Sequence, residues 1–99
     1  MSMHLAVVGA TGAVGSEVLR VLERRNFPLL SLRCFASPRS AGKEVRFREE
    51  SFKVEELKRD SFQGIDIALF CAGGAISREF IPHAIAQDSR VVDNSSAYR

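Results

Sequence analysis

Three glycines within seven residues, Gly9, Gly12 and Gly15, constrain the fold of this chain more than any other feature of its sequence. The residues before them, 5–8, are continuously apolar and rich in β-branched side chains, which is typical of a short buried strand. The residues after them repeat apolar side chains at helical spacing, with charged residues on much of the opposite face: Val14, Val18, Val21 and Leu22. The sequence therefore predicts a strand, a tight glycine turn and an amphipathic helix, in that order.

This order of elements can hold the pyrophosphate of a dinucleotide. A helix N-terminus offers an anion both backbone N–H groups and the positive end of the helix dipole. Glycines allow the tight turn, the approach of the phosphate and the close packing of helix on strand. The spacing here is G-x-x-G-x-x-G, which differs from the G-x-G-x-x-G dinucleotide fingerprint. Nucleotide binding is the preferred interpretation, and a purely structural turn is the alternative.

The end of the second predicted strand favours NADP over NAD. The first helix pattern stops before Pro28, and residues 32–36 form the next predicted strand. In a dinucleotide-binding fold an acidic residue ends this strand and binds the ribose 2′-hydroxyl of NAD. This chain instead has Ser37, Arg39 and Ser40 there. A guanidinium presents a planar fork of donors to phosphate oxygens, so this group suits a 2′-phosphate; a polar surface loop is the alternative.

The middle of the chain predicts smaller elements. Apolar and polar residues alternate over 43–54, which indicates a short hairpin whose charged side chains form a solvated face. Residues 55–61 are expected to form one or two helical turns. Residues 65–71 then form another apolar run, which predicts a buried strand.

A further strand and helix complete the predicted fold. Ala72 and Gly73 follow the buried strand, and small residues there let a cofactor lie across the edge of an open parallel sheet. A second helix is predicted to begin near Ser77 as its N-cap, with an apolar face formed by Phe80, Ile81, Ala84 and Ile85. Residues 91–93 form the last strand. We therefore expect an α/β, Rossmann-type NAD(P)-binding domain with a mainly parallel sheet flanked by helices.

Composition excludes several other classes of protein. Ninety-nine residues suit one domain, and 45% apolar with 26% charged residues is ordinary for a globular chain. A net charge of +2 with dispersed basic residues gives no reason to expect nucleic-acid binding. No apolar run approaches the length of a membrane span, so we expect a cytoplasmic protein. The two cysteines, Cys34 and Cys71, indicate neither a metal site nor a disulfide framework.

Four segments together closely resemble the N-terminal part of aspartate-semialdehyde dehydrogenases. They are GATGAVGSEVLRVLERRNFP, ASPRSAGKEV, DIALFCAGGAISREF and VVDNSSAYR. The similarity extends over essentially all 99 residues, and the ordered set is far more specific than any one motif. In that family this part is the NADP-binding half of a two-domain enzyme. The enzyme reduces L-aspartyl 4-phosphate to L-aspartate 4-semialdehyde and releases phosphate, on the route to lysine, methionine and threonine.

The resemblance also implies roles for individual residues. Thr11, Gly12, Ala13 and Val14, between Gly9 and Gly15, would lie along the NADP pyrophosphate, and Ser37, Arg39 and Ser40 would hold the 2′-phosphate. Ala72 and Gly73 would border the adenosine side, and Asn94 with Ser95 would approach the nicotinamide. Arg99 would grip the phosphate of the substrate, a role that suits a permanently charged, bidentate donor.

The catalytic residues of the family are expected outside this chain. The family uses a cysteine nucleophile, which forms a thioacyl intermediate, and a histidine acid/base, both beyond position 99. His4, His83, Cys34 and Cys71 do not match them, and the two cysteines are expected to be small core residues. We therefore expect residues 1–99 to be the NADP-binding domain, with no catalytic or dimerisation domain in this chain and no turnover by it alone. The full-length protein is expected to be a homo-oligomer.

Two other interpretations stay open. N-acetyl-γ-glutamyl-phosphate reductases resemble this chain in architecture and also reduce an acyl phosphate, although residues 94–99 fit the aspartyl enzymes better. A non-catalytic NADP-binding module, either a truncated paralogue or a regulator, is the rival of a different class. Short-chain dehydrogenases and sugar epimerases also use glycine-rich turns, but the sequence contains no Tyr-x-x-x-Lys.

Overall fold

Parallel pairing joins five strands of the chain into one sheet. The structure is a computed structural model and describes residues 3–94. The strands of the sheet are β1 (Met3–Val8), β2 (Leu29–Ala36), β5 (Glu55–Glu56), β6 (Ile67–Phe70) and β7 (Arg90–Asp93). Their spatial order is β5-β2-β1-β6-β7, and each neighbouring pair is parallel. Chain order reverses direction at β1, which is the topology of a doubly wound dinucleotide-binding sheet. The predicted fold class is confirmed.

Two helices and a hairpin cover the two faces of this sheet. Alternate residues of β1 point to opposite faces, so Ala6 and Val8 belong to one core and Leu5 and Val7 to the other. Helix α2 (Gly74–Ala86) packs on the first core, and helix α1 (Ala13–Arg24) packs on the second. The carboxyl ends of all five strands are thereby left at one edge, between the two layers.

The predicted hairpin is confirmed. Strand β3 (Glu44–Phe47) pairs antiparallel with β4 (Glu50–Lys53), and Val45 lies opposite Phe52. Arg48 and Glu49 turn the chain with φ of 54° and 65°, the left-handed geometry of a two-residue hairpin loop. Arg48 departs from the predicted solvated face, because its backbone N–H donates to Glu23 Oε2 at 2.6 Å and its guanidinium donates to the Phe27 carbonyl. The hairpin is thus fastened to the end of α1.

The buried face of α1 differs from the one that the apolar pattern predicts. Val14 and Val21 are 49% and 36% exposed, whereas Gly15 and Leu19 are buried. The helix lies so close to the sheet that its inward face carries the smallest residue of the first turn. The prediction was wrong for Val14 and Val21, because an apolar pattern counts large side chains and overlooks a buried glycine. Leu22, another member of the predicted face, does pack against the core.

Two further local predictions are wrong. Residues 55–61 are not helical turns, because Glu55–Glu56 is the strand β5 paired with Phe35 and Ala36, and only a single turn follows. Helix α2 begins at Gly74 with Gly73 as its N-cap, so Ser77 lies inside the helix and is fully buried. Of the predicted apolar face of α2, only Ile85 is exposed, at 60%.

Contact between two glycines fixes how α1 meets the sheet. A Cβ atom at Gly15 would lie 2.1 Å from the Gly9 carbonyl oxygen and 2.9 Å from Ala10 Cα. A Cβ at Gly9, which has φ of +87°, would lie 2.9 Å from Ala72. Both neighbours are largely backbone, which cannot move aside as a flexible side chain can. The loops after β1 and β6 therefore touch directly, beneath the first turn of α1.

Gly15→Ala is expected to lower the free energy of unfolding by about 1–3 kcal/mol, because overpacking against backbone forces the helix outward. Helix propensity alone would make alanine the more stable residue by about 1 kcal/mol. The change in the free energy of unfolding that we expect is therefore opposite in sign to the change that propensity predicts. Urea unfolding measures the change. Ser16→Ala, one residue on and exposed, is the control and should not destabilise the chain. A Gly15→Ala protein more stable than the parent would contradict the close packing.

Candidate dinucleotide-binding site

A cavity of about 570 Å³ opens at the carboxyl edge of the sheet, and it has the size of a small-molecule site. The loops after β1, β2 and β6 form much of its wall, together with the end of β5 and one side of α2. Six residues that the sequence predicts as cofactor ligands line it: Gly9, Thr11, Gly12, Ser37, Ser40 and Ala72. The structure thus brings the three predicted cofactor-binding segments to one place.

Among residues 3–94, no side chain caps the N-terminus of α1. Its N-cap residue is Gly12, which supplies no side-chain hydrogen bond, and its first turn holds no acidic residue. The first helical hydrogen bond runs from the Ser16 N–H to the Gly12 carbonyl at 2.9 Å. The N–H groups of Ala13, Val14 and Gly15 precede that bond, in the part of a helix where amides have no intrahelical acceptor. They can therefore serve an anion at this end of the helix.

Unlike Gly9 and Gly15, Gly12 has free space at the position that a Cβ atom would occupy. A Cβ there would have only the Gly9 carbonyl oxygen in ordinary contact, at 3.5 Å, and the backbone at φ −82° suits any residue. The fold therefore does not require glycine at this position. The open side is the cavity, and a missing side chain there leaves room for a phosphate to approach the backbone.

The turn after β2 presents hydroxyls to the same cavity. The Ser37 carbonyl accepts hydrogen bonds from the N–H groups of Ser40 and Ala41, both at 3.0 Å, which closes a tight turn. Ser37, Pro38 and Ser40 line the cavity wall. Arg39 lies on the same turn, is exposed and does not line the wall. Its side chain therefore neighbours two wall residues in sequence and is free of burial.

Loops after β6 and β7 complete the edge. Ala72 lines the cavity, and Gly73, with φ of +101°, is the N-cap of α2. The Asn94 N–H donates to the Phe70 carbonyl at 2.9 Å, and Asn94 Nδ2 lies 3.9 Å from Cys71 Sγ. Asn94 is thus placed beside the cavity wall, while Ser95 and Arg99 lie outside the described residues.

The remaining predicted pyrophosphate residues lie behind or beside the cavity. Gly15 is buried against the turn, and Ala13 and Val14 border a shallow apolar groove on the outer side of α1. Any contact of these three positions with a ligand in the cavity would therefore be made by backbone N–H groups rather than by side chains.

Several wall residues were missed by the sequence analysis. Glu56 and Leu57 line the cavity from β5 and the residue after it, which the wrong helical assignment of 55–61 concealed. Ile76, Glu79 and Phe80 line it from α2. Their spacing, three and four residues apart, marks one helix face and could have identified them once the start of α2 was known.

The thiols and imidazoles do not form a catalytic group among residues 3–94. Burial raises the pKa of the Cys34 thiol to about 11, with a further contribution from Glu55. Burial also raises the pKa of Cys71, although the hydrogen bond from Asn94 opposes the shift. Nucleophilic cysteines need a lowered pKa. His4 Nδ1 lies 2.6 Å from Ser31 Oγ near the amino end of the sheet, and neither His4 nor His83 lines the cavity.

The described part of the chain contains neither a cluster of metal-ligating side chains nor a membrane-spanning helix. Residues 3–94 bring no three His, Cys, Asp or Glu side chains into an arrangement that could hold a metal ion. The same residues contain no helix that is both long enough and apolar enough to cross a membrane.

Gly12→Ser is expected to leave the fold at least as stable and to weaken dinucleotide binding. Serine is a better N-cap than glycine by a few tenths of a kcal/mol, and its hydroxyl would compete for the amides that we assign to the phosphate. Losing charge-assisted hydrogen bonds of about 1.5–3 kcal/mol corresponds to an affinity loss of at least about tenfold. Calorimetric titration alongside urea unfolding measures both effects. Unchanged affinity in the capped variant would contradict this site.

Bound dinucleotide is expected to protect Cys71 from alkylation, because Cys71 lines the cavity. Cys34 is 1% exposed and serves as the internal control, since it should resist alkylation with or without the ligand. Mass spectrometry after brief iodoacetamide treatment at pH 8 measures both thiols. Equal labelling of Cys71 in the free and bound protein would place the ligand elsewhere.

Comparison with known proteins agrees with this geometry. A family model described as "Semialdehyde dehydrogenase, NAD binding domain" matches residues 4–99. The chain is 54% identical over 101 aligned residues to the aspartate-semialdehyde dehydrogenase of Legionella pneumophila, covering 100% of this chain and 29% of that protein. It is 47% identical over 97 residues to the Bacillus subtilis enzyme, covering 98% of this chain and 28% of that protein.

A solved structure supports the same assignment. Vibrio cholerae aspartate semialdehyde dehydrogenase II, complexed with ASA, superimposes with a TM-score of 0.94 at 39% identity, covering 99% of this chain and 32% of that one. The chain thus spans less than a third of the length of these relatives. The resemblance found in the sequence is confirmed, and the chain belongs to the family of semialdehyde dehydrogenase NAD-binding domains.

Proposed function

We propose that this chain is the NADP-binding N-terminal domain of an aspartate-semialdehyde dehydrogenase. The full-length enzyme interconverts L-aspartyl 4-phosphate and L-aspartate 4-semialdehyde plus phosphate. The observation that carries the proposal is 54% identity to such an enzyme along the whole chain. The uncapped α1 N-terminus, which opens on a cavity of suitable size, supports it independently.

The loops after β1, β2 and β6 would each bind a different part of the cofactor. The segment 11–14 would lie along the pyrophosphate, and the backbone N–H groups of Ala13 and Val14 would bind it at the positive end of α1. The Gly12 N–H already donates to the Gly9 carbonyl at 3.1 Å. Ala72 and Gly73 would border the adenosine side. NADPH supplies the hydride when bound, and Asn94 and Ser95 would face its nicotinamide. Arg99 would bind the phosphate of the substrate.

NADP rather than NAD is supported by the turn after β2. Ser37 and Ser40 line the wall there, and the exposed Arg39 lies between them on the same turn. No residue of 37–42 is acidic, so nothing in that turn repels a 2′-phosphate. Hydroxyls together with a guanidinium can supply several donors to phosphate oxygens.

The rest of the full-length protein would supply the nucleophilic cysteine, the acid/base histidine and the dimerisation domain. On this proposal the enzyme works as a homo-oligomer in the cytoplasm on a small acyl phosphate. Residues 1–99 alone would bind NADP without turnover.

Assay of the full-length enzyme tests the activity. We expect NADP reduction with L-aspartate 4-semialdehyde and phosphate, and no comparable rate with N-acetylglutamate 5-semialdehyde. Reaction with only the acetylated substrate would assign the enzyme to the N-acetyl-γ-glutamyl-phosphate reductases. Tight NADP binding with neither reaction would instead favour a non-catalytic module.

Arg39→Ala is expected to weaken NADP binding by about 1–3 kcal/mol and NAD binding far less, because only NADP carries the 2′-phosphate. Arg46→Ala removes the same charge from the hairpin, where Arg46 is exposed, and should leave both affinities nearly unchanged. Calorimetric titration of each variant with both cofactors provides the measurement. Equal losses for NADP and NAD in Arg39→Ala would remove Arg39 from the 2′-phosphate site.

A further inference from the structure

Ser77 carries a buried hydroxyl that the fold of α2 does not require. It lies in the first turn of the helix, has no exposed surface, and its N–H already bonds to the Gly73 carbonyl at 3.1 Å. Its Oγ donates a hydrogen bond to Asp93 Oδ1 at 2.9 Å. A buried hydroxyl loses free energy unless it is hydrogen-bonded, and a small apolar residue would fill the same space without that need. The hydrogen bond to Asp93 is therefore what serine provides at this position and a small apolar residue would not.

Asp93 connects this bond to the cavity. It is the last residue of β7 and pairs with Phe70 in β6. The next residue, Asn94, donates its N–H to the Phe70 carbonyl and has Nδ2 beside Cys71 Sγ in the cavity wall. The Ser77 hydroxyl thus holds the carboxylate immediately before Asn94, on the side of the strand that faces α2.

We propose that Ser77 is a positioning residue that sets the place of Asn94 through Asp93. The inference rests on the proposed function, in which Asn94 approaches the nicotinamide. A hydrogen bond to a carboxylate is stronger than one between neutral groups, and the donor side of this bond, Ser77, is fully buried. It fastens the end of β7 to a helix whose own N-terminus opens on the same edge. A small displacement of a residue at a reacting centre can cost a large part of the rate.

The nicotinamide end of the site, near Asn94, is well separated from the end that would bind the 2′-phosphate. Ser37 and Ser40 stand on the turn after β2, and in the sheet β1 and β6 lie between that turn and β7. Loss of the Ser77 hydroxyl should therefore disturb the nicotinamide end and leave the 2′-phosphate end intact. A general loss of folding would disturb both ends together.

The test uses the full-length enzyme with Ser77→Ala and Ser77→Cys. The cysteine variant keeps a side chain of similar size but a poor donor, which guards against failure of the alanine variant to fold. Ser89→Ala is the matched control, because Ser89 is also buried but lies just before β7, at the opposite end of the strand, and donates to the Phe62 and Ile65 carbonyls. The readouts are kcat, the KM for NADP, and the calorimetric Kd values of NADP and of adenosine 2′,5′-bisphosphate.

Both Ser77 variants should lower kcat on the order of tenfold and weaken NADP several-fold. Their affinity for adenosine 2′,5′-bisphosphate should match that of the parent, and Ser89→Ala should keep the parent kcat. An unchanged kcat, or equal weakening of both ligands, would overturn the positioning role. A parent enzyme inactive on aspartate semialdehyde would overturn the proposed function and this inference with it, whereas an active parent with unaffected Ser77 variants would overturn the inference alone.

Discussion

The architecture depends on the contact between Gly15 and the Gly9 carbonyl. Because a Cβ at Gly15 would lie 2.1 Å from that oxygen, only glycine lets α1 begin directly above the turn after β1. The helix then brings its first amides to the carboxyl edge of the sheet. Gly9 allows a second close contact, because its left-handed backbone and missing side chain let the turn touch the loop after β6. Gly9 and Gly15 thus allow the close packing at this edge of the sheet, and Gly12 leaves free space next to the helix N-terminus.

The parallel sheet places this glycine turn next to other loops and so forms a binding site. Since every strand of the sheet ends at the same edge, the loops after β1, β2 and β6 converge there although they are far apart in sequence. The two cores hold the layers in place without using polar groups of the edge. The dipole of α1 then favours an anion at the helix N-terminus, because among the described residues no side chain caps that end and its first turn holds no acid. Family membership and geometry therefore point to the same ligand class.

The sequence was most informative where a pattern has one physical cause. The glycine turn with its flanking strand and helix, and the hairpin, were predicted correctly because glycine geometry and period-two alternation act locally. The predicted buried face of α1 was wrong at Val14 and Val21, since burial of Gly15 follows from its lack of a side chain and no hydrophobicity pattern reveals it. Strand β5 was missed because two residues cannot show a period, and it exists through pairing with Phe35 and Ala36. Ser77 resembled an N-cap, but its partner, Asp93, lies 16 residues away, beyond any local pattern.

The central claim is that the uncapped N-terminus of α1 holds the pyrophosphate of the cofactor. A crystal structure of the full-length protein with NADP tests it most directly. We expect pyrophosphate oxygens at hydrogen-bonding distance, about 2.7–3.2 Å, from the backbone nitrogens of Ala13 or Val14, with the 2′-phosphate beside Ser37 and Ser40. A pyrophosphate bound at the N-terminus of α2, or away from both helices, would contradict it.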